Sequence, residues 1–170
     1  MVTVRIEKKP SFKICGRKTW VGQDNEAFGQ FWEKCRKEGL IQLFERIHEN
    51  RTETVTNSNA IGVSCVEKDP NDRNFWFYVA TECDHSPEGF DLEEYTIPAS
   101  EWVIFENYGE TPDALIEAEM YAFEEWLPYS RYNHANIPEI EAYPPRKTDK
   151  GFSYEFWLPI IEKEVLIEIE

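Results

Sequence analysis

The chain is 170 residues long, about one domain, and its 41% hydrophobic and 15% aromatic content supplies a core without disulfides or metals, which excludes a disordered tail protein. Against 18 basic residues stand 33 acidic ones, a formal charge of −15. That balance excludes a phosphate-binding nucleic-acid face, disfavours docking on an anionic membrane surface, and is compatible with a cationic partner.

Residues 1–7 are strand-like and lack the apolar stretch and cleavage site of a signal peptide. The extended pattern breaks at Pro10 and restarts over 11–19. Asp24 is a candidate N-cap. Phe28, Phe31, Trp32 and Cys35 follow at i, i+3, i+4 and i+7, one face of a helix that Gly39 stops. Residues 41–48 form a second short helical piece, and 50–59 are a polar loop. Strands at 60–66 and 75–80 flank a turn at 68–72. Residues 84–94 read as an acidic linker. Asp84, Glu88 and Asp91 within it lack the spacing of a calcium loop.

A strand at 101–105 opens the second half and ends at Tyr108-Gly109. Thr111 caps a helix with Pro112 at its first position. Leu115, Ala118, Ala122 and Trp126 form the apolar face of that helix, and Pro128 ends it. Residues 138–143 form a short strand, 144–151 a turn, and 152–158 a long final strand. Residues 161–170 are an extended C-terminal extension. No run approaches the ~18 apolar residues of a spanning helix. Cys15, Cys35, Cys65 and Cys83 form no CxxC and read as reduced core thiols of a cytoplasmic protein, with no metal or cofactor expected.

The order strand, helix, strand, strand thus occurs twice, an α+β tandem repeat with pseudo-twofold symmetry within one domain. The first repeat covers about 1–83 and the second about 95–160. Pro10-Ser11-Phe12-Lys13-Ile14-Cys15 lies on Ala99-Ser100-Glu101-Trp102-Val103-Ile104, and Phe75-Trp76-Phe77-Tyr78-Val79 on Tyr154-Glu155-Phe156-Trp157-Leu158. A groove at the junction of two such units is a natural ligand site.

Side chains alternate along a strand. Tyr154, Phe156 and Leu158 share one face, as do Phe75, Phe77 and Val79, and these faces should back onto the helices. The opposite face carries Trp76, Tyr78, Trp157 and one carboxylate, Glu155. If the two strands meet near the pseudo-twofold axis, Glu155 stands in an aromatic box suited to an organic cation. The alternative is an exposed Glu155 with Trp157 packed under a loop. Trp102 is a further candidate, Tyr108, Tyr132 and Tyr143 are weaker ones, and Trp32 and Trp126 read as core.

Several segments resemble a known family: Ile97-Pro98-Ala99-Ser100-Glu101-Trp102-Val103-Ile104-Phe105 with Gly109, Trp126-Leu127-Pro128-Tyr129-Ser130, Pro138-Glu139-Ile140-Glu141-Ala142-Tyr143, Tyr154-Glu155-Phe156-Trp157-Leu158-Pro159-Ile160, and Ile61-Gly62-Val63. The chain is similar to the gyrase-inhibitor-like small-molecule-binding family. That family includes the effector-binding domains of AraC-type and MerR-type drug-responsive regulators. The resemblance implies two strand–helix–strand–strand units around a central pocket that takes organic, often cationic, compounds. It maps the family's pocket acid to Glu155 and the neighbour two residues on to Trp157.

No helix-turn-helix segment is readable, so a stand-alone module is expected. Three functions follow from the resemblance. The first is a binding protein for hydrophobic cations. The second is a hydrolase of reactive electrophiles such as cyclopropane-bearing genotoxins, with Glu155 activating water and Tyr78 donating a proton. The third is a protein partner, of gyrase or of a separate regulator. No Ser-His-Asp set, HExxH or P-loop is present.

Overall fold

Pro10 has no amide hydrogen to give to a ladder, and the extended N-terminal run splits there into β1 (Thr3–Lys9) and β2 (Phe12–Val21). The computed structural model describes residues 1–23, 26–49 and 53–164. The cap expected at Asp24 and the end of the C-terminal extension lie outside the described residues. Next come α1 (Glu26–Lys37) and α2 (Leu40–His48). Gly39 between them has φ +81°, a conformation that glycine adopts without strain.

The chain continues with β3 (Ile61–Cys65), β4 (Phe75–Glu82), β5 (Glu93–Ile97), β6 (Ser100–Gly109) and α3 (Asp113–Tyr121). It closes with β7 (Tyr132–His134), β8 (Glu139–Ala142), β9 (Lys147–Thr148) and β10 (Gly151–Glu162). At the start of α3 the Thr111 hydroxyl accepts the Asp113 N–H at 3.4 Å. The helix then loosens into a π-helical turn, Ala122–Trp126, and a 3-10 turn, Leu127–Tyr129, where Pro128 terminates it. No helix among the described residues is long and apolar enough to cross a membrane.

One antiparallel sheet runs in the order β1-β6-β10-β8-β3-β4-β2-β5, with β7 and β9 added beside β10. The order is the same from either end once the two halves are exchanged. β3 matches β8, β4 matches β10, β2 matches β6, and β1 matches β5. The pseudo-twofold axis passes through the central pair Val63↔Ile140. Each half therefore has an additional leading strand, and that strand pairs in the other half: β1 with β6, β5 with β2.

Two expectations change here. Glu93 and Glu94, read as linker, belong to β5, an edge strand whose outer residues are polar because solvent faces them. The final strands of the halves, β4 and β10, do not meet at the axis, because β3 and β8 lie between them. Both are nevertheless interior, each paired on its two sides.

Only two residues separate β1 from β2, and two separate β5 from β6, although these strands stand far apart in the sheet order. The sheet must curl to bring its ends together. Its inner face then packs on itself, with Phe12, Ile14 and Ile97 against Trp102, Ile104 and Trp157. The helices cover the outer face. α1 and α2 pack Phe31, Cys35, Leu40 and Phe44 on β4, and α3 with the π-helical turn after it packs Leu115, Ala118 and Ala122 on β6 and β10.

Ile14 faces the inner core and Val103 the outer one, so laying 10–15 on 99–104 is one residue out of register. The second alignment keeps its faces: Phe75 and Phe77, like Tyr154 and Phe156, lie on the helix side.

Gly62 pairs with Glu141 across the seam, and a Cβ there would stand 2.6 Å from Glu141 Oε2 and 2.9 Å from Phe77 Cζ. Gly29, inside α1, has open space around it. Gly62→Ala should lower stability by about 1–3 kcal/mol through overpacking. Gly29→Ala should raise it by about 0.5–1 kcal/mol through helix propensity. Urea unfolding of the two variants measures both signs.

Candidate functional site

Because each helical layer stays on its own half of the sheet, a gap remains above the β3–β8 seam. It forms a cavity of about 1270 Å³. β8 supplies Glu141 to it, Tyr143 follows directly after β8, and β4 and β10 supply Phe75 and Tyr154. α1 contributes Phe28 and Trp32, and α3 contributes Leu115, Ile116 and Glu119.

A loop over 53–60 closes one side. Buried Glu82 holds it by accepting the Val55 N–H at 2.8 Å, the Thr56 N–H at 2.9 Å and the Thr56 hydroxyl at 2.6 Å. Ser58 Oγ accepts the Tyr143 N–H at 2.8 Å, which fixes the loop to the end of β8.

The walls are aromatic and interlocked. Trp32 meets Tyr143 edge-on at 5.5 Å, Tyr143 meets Tyr154 at 5.9 Å, and Phe28 meets Phe77 at 4.9 Å. Glu141 stands on the floor, flanked by Gly62 on one side and Phe156 on the other. It is half-buried and borders the cavity. Among the described residues its hydrogen-bond partner is the Tyr143 hydroxyl, which donates to Oε2 at 2.7 Å, and it forms no ion pair.

Burial pushes the Glu141 carboxyl up to about 7, against the pull of the Tyr143 hydrogen bond. Glu119, on the α3 wall, is also pushed up to about 7, first by burial and then by the charges of Glu141 and Glu139, with Arg73 opposing. Tyr143 is pushed well above its ordinary value by burial and by Glu141, so it remains a neutral donor.

Glu139 shares the face of Glu141 on β8 but is fully paired. Arg73 reaches it with both terminal nitrogens, at 3.2 and 3.4 Å. His134 Nδ1 accepts the Asn136 N–H, so its Nε2 carries the proton and donates to Glu139 at 3.0 Å. The Arg73 guanidinium also lies over the rings of Phe75 and Phe123.

The residues named from sequence lie elsewhere. Glu155, Trp157, Tyr78, Trp102 and Trp76 do not line this cavity. Glu155 is 1% exposed and bonds Arg5 at 2.8 Å and the Trp157 indole N–H at 3.0 Å. It is a paired carboxylate in the inner core, not a lone charge in an aromatic box. Burial pushes its pKa up, while Arg5 and Trp157 pull it back. Trp157 and Trp102 pack against each other at 5.8 Å, both fully buried. Tyr78 donates to Glu93 at 3.0 Å. Trp76, 43% exposed, meets Trp20 edge-on at 5.3 Å under the Lys18 ammonium.

The physical reason is the same for all five. The open space lies on the helix side of the sheet, where the sequence reading had placed a sealed interface. Of the tyrosines named as weaker candidates, Tyr143 lines the cavity, whereas Tyr108 and Tyr132 do not. Trp126 is core as expected, packed on Phe105 and Tyr132, whereas Trp32 lines the cavity. Glu119 and Glu141 were missed. The signal for Glu141 was available: in Glu139-Ile140-Glu141-Ala142-Tyr143 two acids and a tyrosine share one face of a short strand whose other face is apolar.

A carboxyl held near 7 in the native state and near 4.5 when unfolded makes the native chain bind more protons between those values, so stability falls as pH rises through that window. The urea midpoint of the wild type should therefore drop between pH 5 and pH 8. Glu141→Gln should flatten that slope and be the more stable form at pH 8. Equal slopes would show that Glu141 does not titrate there.

The model of the family described as integron-associated effector binding protein, Cass2, matches residues 5–160. No curated protein gives a significant match. Among solved structures, SAV2435 bound to tetraphenylphosphonium has a TM-score of 0.76 at 20% identity, covering 94% of each chain. An integron cassette protein from Vibrio cholerae has a TM-score of 0.67 at 14% identity, covering 93% of this chain and 95% of that one. The EcmrR C-terminal domain gives 0.65 at 14% identity, with 96% and 99% covered. At these identities the structural likeness is one of fold. The family match takes in both halves of the sheet and the cavity between them, and the chain belongs to the Cass2 family of integron-associated effector binding proteins.

Proposed function

We propose that the protein binds hydrophobic organic cations of drug size in the cavity above the β3–β8 seam, as a sensor or sequestering module. The observation that carries this reading is Glu141, a carboxylate without an ion-pair partner among the described residues, on the floor of an aromatic-walled cavity. Holding such a charge away from water costs several kcal/mol. A bound cation offsets that cost, and each ring it contacts adds about 0.5–2 kcal/mol of cation–π attraction. The net charge of −15 favours the approach of cations. The effector-binding description of the family and the phosphonium in SAV2435 support the same reading. Glu155 and Tyr78 are committed to Arg5 and Glu93 outside the cavity, so no observation favours a hydrolase built on them.

Tetraphenylphosphonium is the probe, followed by calorimetry and by quenching of Trp32. Glu141→Gln should weaken its binding by roughly ten- to a hundredfold, about 1.5–3 kcal/mol. Triphenylphosphine oxide, a neutral relative, should be nearly unaffected, and so should phosphonium binding by Glu155→Gln. Wild-type affinity for the phosphonium should rise as pH passes upward through about 7, where Glu141 loses its proton. Unchanged phosphonium affinity in Glu141→Gln overturns the reading.

A further inference from the structure

The cavity contains more negative charge than one cation can answer. Glu141 on its floor and Glu119 on its α3 wall both line it, and the charge of Glu141 raises the cost of ionising Glu119. Glu139 adds a third carboxylate at the same end. The cation among them is Arg73, and its geometry assigns it to Glu139, with two nitrogens at 3.2 and 3.4 Å, against a single nitrogen 3.7 Å from Glu119. A third Arg73 contact goes to the Pro70 carbonyl at 3.1 Å.

His134 donates from Nε2 to Glu139 while its Nδ1 accepts the Asn136 N–H. Arg36, also on the cavity wall, bonds Glu33 at 2.9 Å on the outer side of α1, and Glu53 adds a further acid at the exposed rim. Once all are ionised, three carboxylates and one guanidinium leave two negative charges, Glu141 beside the rings of Trp32 and Tyr143 and Glu119 beside Leu115 and Ile116 on α3.

We propose that the preferred ligand is an organic dication, one positive centre taken by Glu141 among Trp32 and Tyr143 and the other by Glu119 on α3. This rests on the reading that the cavity binds organic cations, and it specifies their charge. A monocation neutralises one carboxylate and leaves the other to share a proton with solvent near pH 7. A dication engages both and drives both protons off. The pair thus selects for ligand charge through proton exchange, and the selection is sharpest above neutral pH.

Two isosteres differing by one charge test it: 1-methyl-4-(4-methylphenyl)pyridinium, singly charged, and 1,1′-dimethyl-4,4′-bipyridinium, doubly charged. Calorimetry at pH 8 and constant ionic strength should show the wild type favouring the dication by about tenfold or more. Near pH 7, buffers of different ionisation enthalpy should reveal about half a proton more released by the dication than by the monocation. Glu119→Gln, on the α3 wall, should bring the two ligands to similar affinity by weakening the dication more than the monocation. Glu141→Gln should weaken both.

If the monocation binds in a Glu141-dependent way while the dication binds no better and Glu119→Gln changes nothing, the charge selection is overturned and the cation-binding reading stands. If neither ligand binds the wild type, both fall together.

Discussion

Three residue pairs hold the two halves of the sheet together: Gly62 with Glu141, Val63 with Ile140, and Ser64 with Glu139. Everything that gives this protein a site follows from that seam. Val63 and Ile140 point into the curled inner core, so the residues on either side of them must point to the helix face. A slip of one residue would drive Glu139 and Glu141 into the inner core and turn Ile140 outward, an exchange that the buried face does not permit. The same seam lies under the gap between the helical layers, because each layer is anchored by its own half. Register and cavity are therefore one constraint: the pairing that makes the sheet continuous also sets Glu141 beneath the open space.

Three of the protein's acids, Glu155, Glu139 and Glu141, differ in their partners, and the contrast shows which of them waits for one. Glu155 meets Arg5 and an indole N–H. Glu139 meets Arg73 and His134. Both are closed ion-pair networks, the arrangement by which a buried charge is made tolerable. Glu141 meets a tyrosine hydroxyl, which softens the cost of ionisation without cancelling the charge. Burial alone did not distinguish these acids. What distinguishes them is whether a cation of the chain's own reaches them.

That distinction also explains how far the sequence could be read. Alternation and capping residues located most of the strands and all three helices, since Pro10, Gly39, Thr111-Pro112 and Pro128 act within a few residues of themselves. The tandem order was legible for the same reason. β5 was not, because an edge strand with Glu93, Glu94 and Thr96 facing solvent looks like linker. The surroundings of Glu155 were hidden by a long-range fact. Arg5 reaches Glu155 only because β1 crosses into the other half and pairs with β6, and no local pattern encodes that exchange. Nor does a strand's apolar face reveal whether the helices above it touch or stand apart. Tyr154 and Phe75 were correctly given to the helix side, yet they border open space there.

The exchange of leading strands has a consequence for the chain as it is made. β1 is synthesised first, and its partner β6 follows roughly a hundred residues later, with Thr3 opposite Glu106. At ~5–20 residues per second this leaves β1 unpaired for about 5–20 s on the ribosome. An unpaired strand is a template for association with other chains. β1 meets that hazard through composition: Arg5, Glu7, Lys8 and Lys9 interrupt the apolar Val4 and Ile6, so the waiting strand is charged along most of its length. In the finished fold β1 is an edge strand with Val4 and Ile6 partly exposed. The charges that guard the nascent segment therefore guard the mature edge as well, and Arg5 additionally becomes the counter-ion of Glu155 once β6 and β10 are in place.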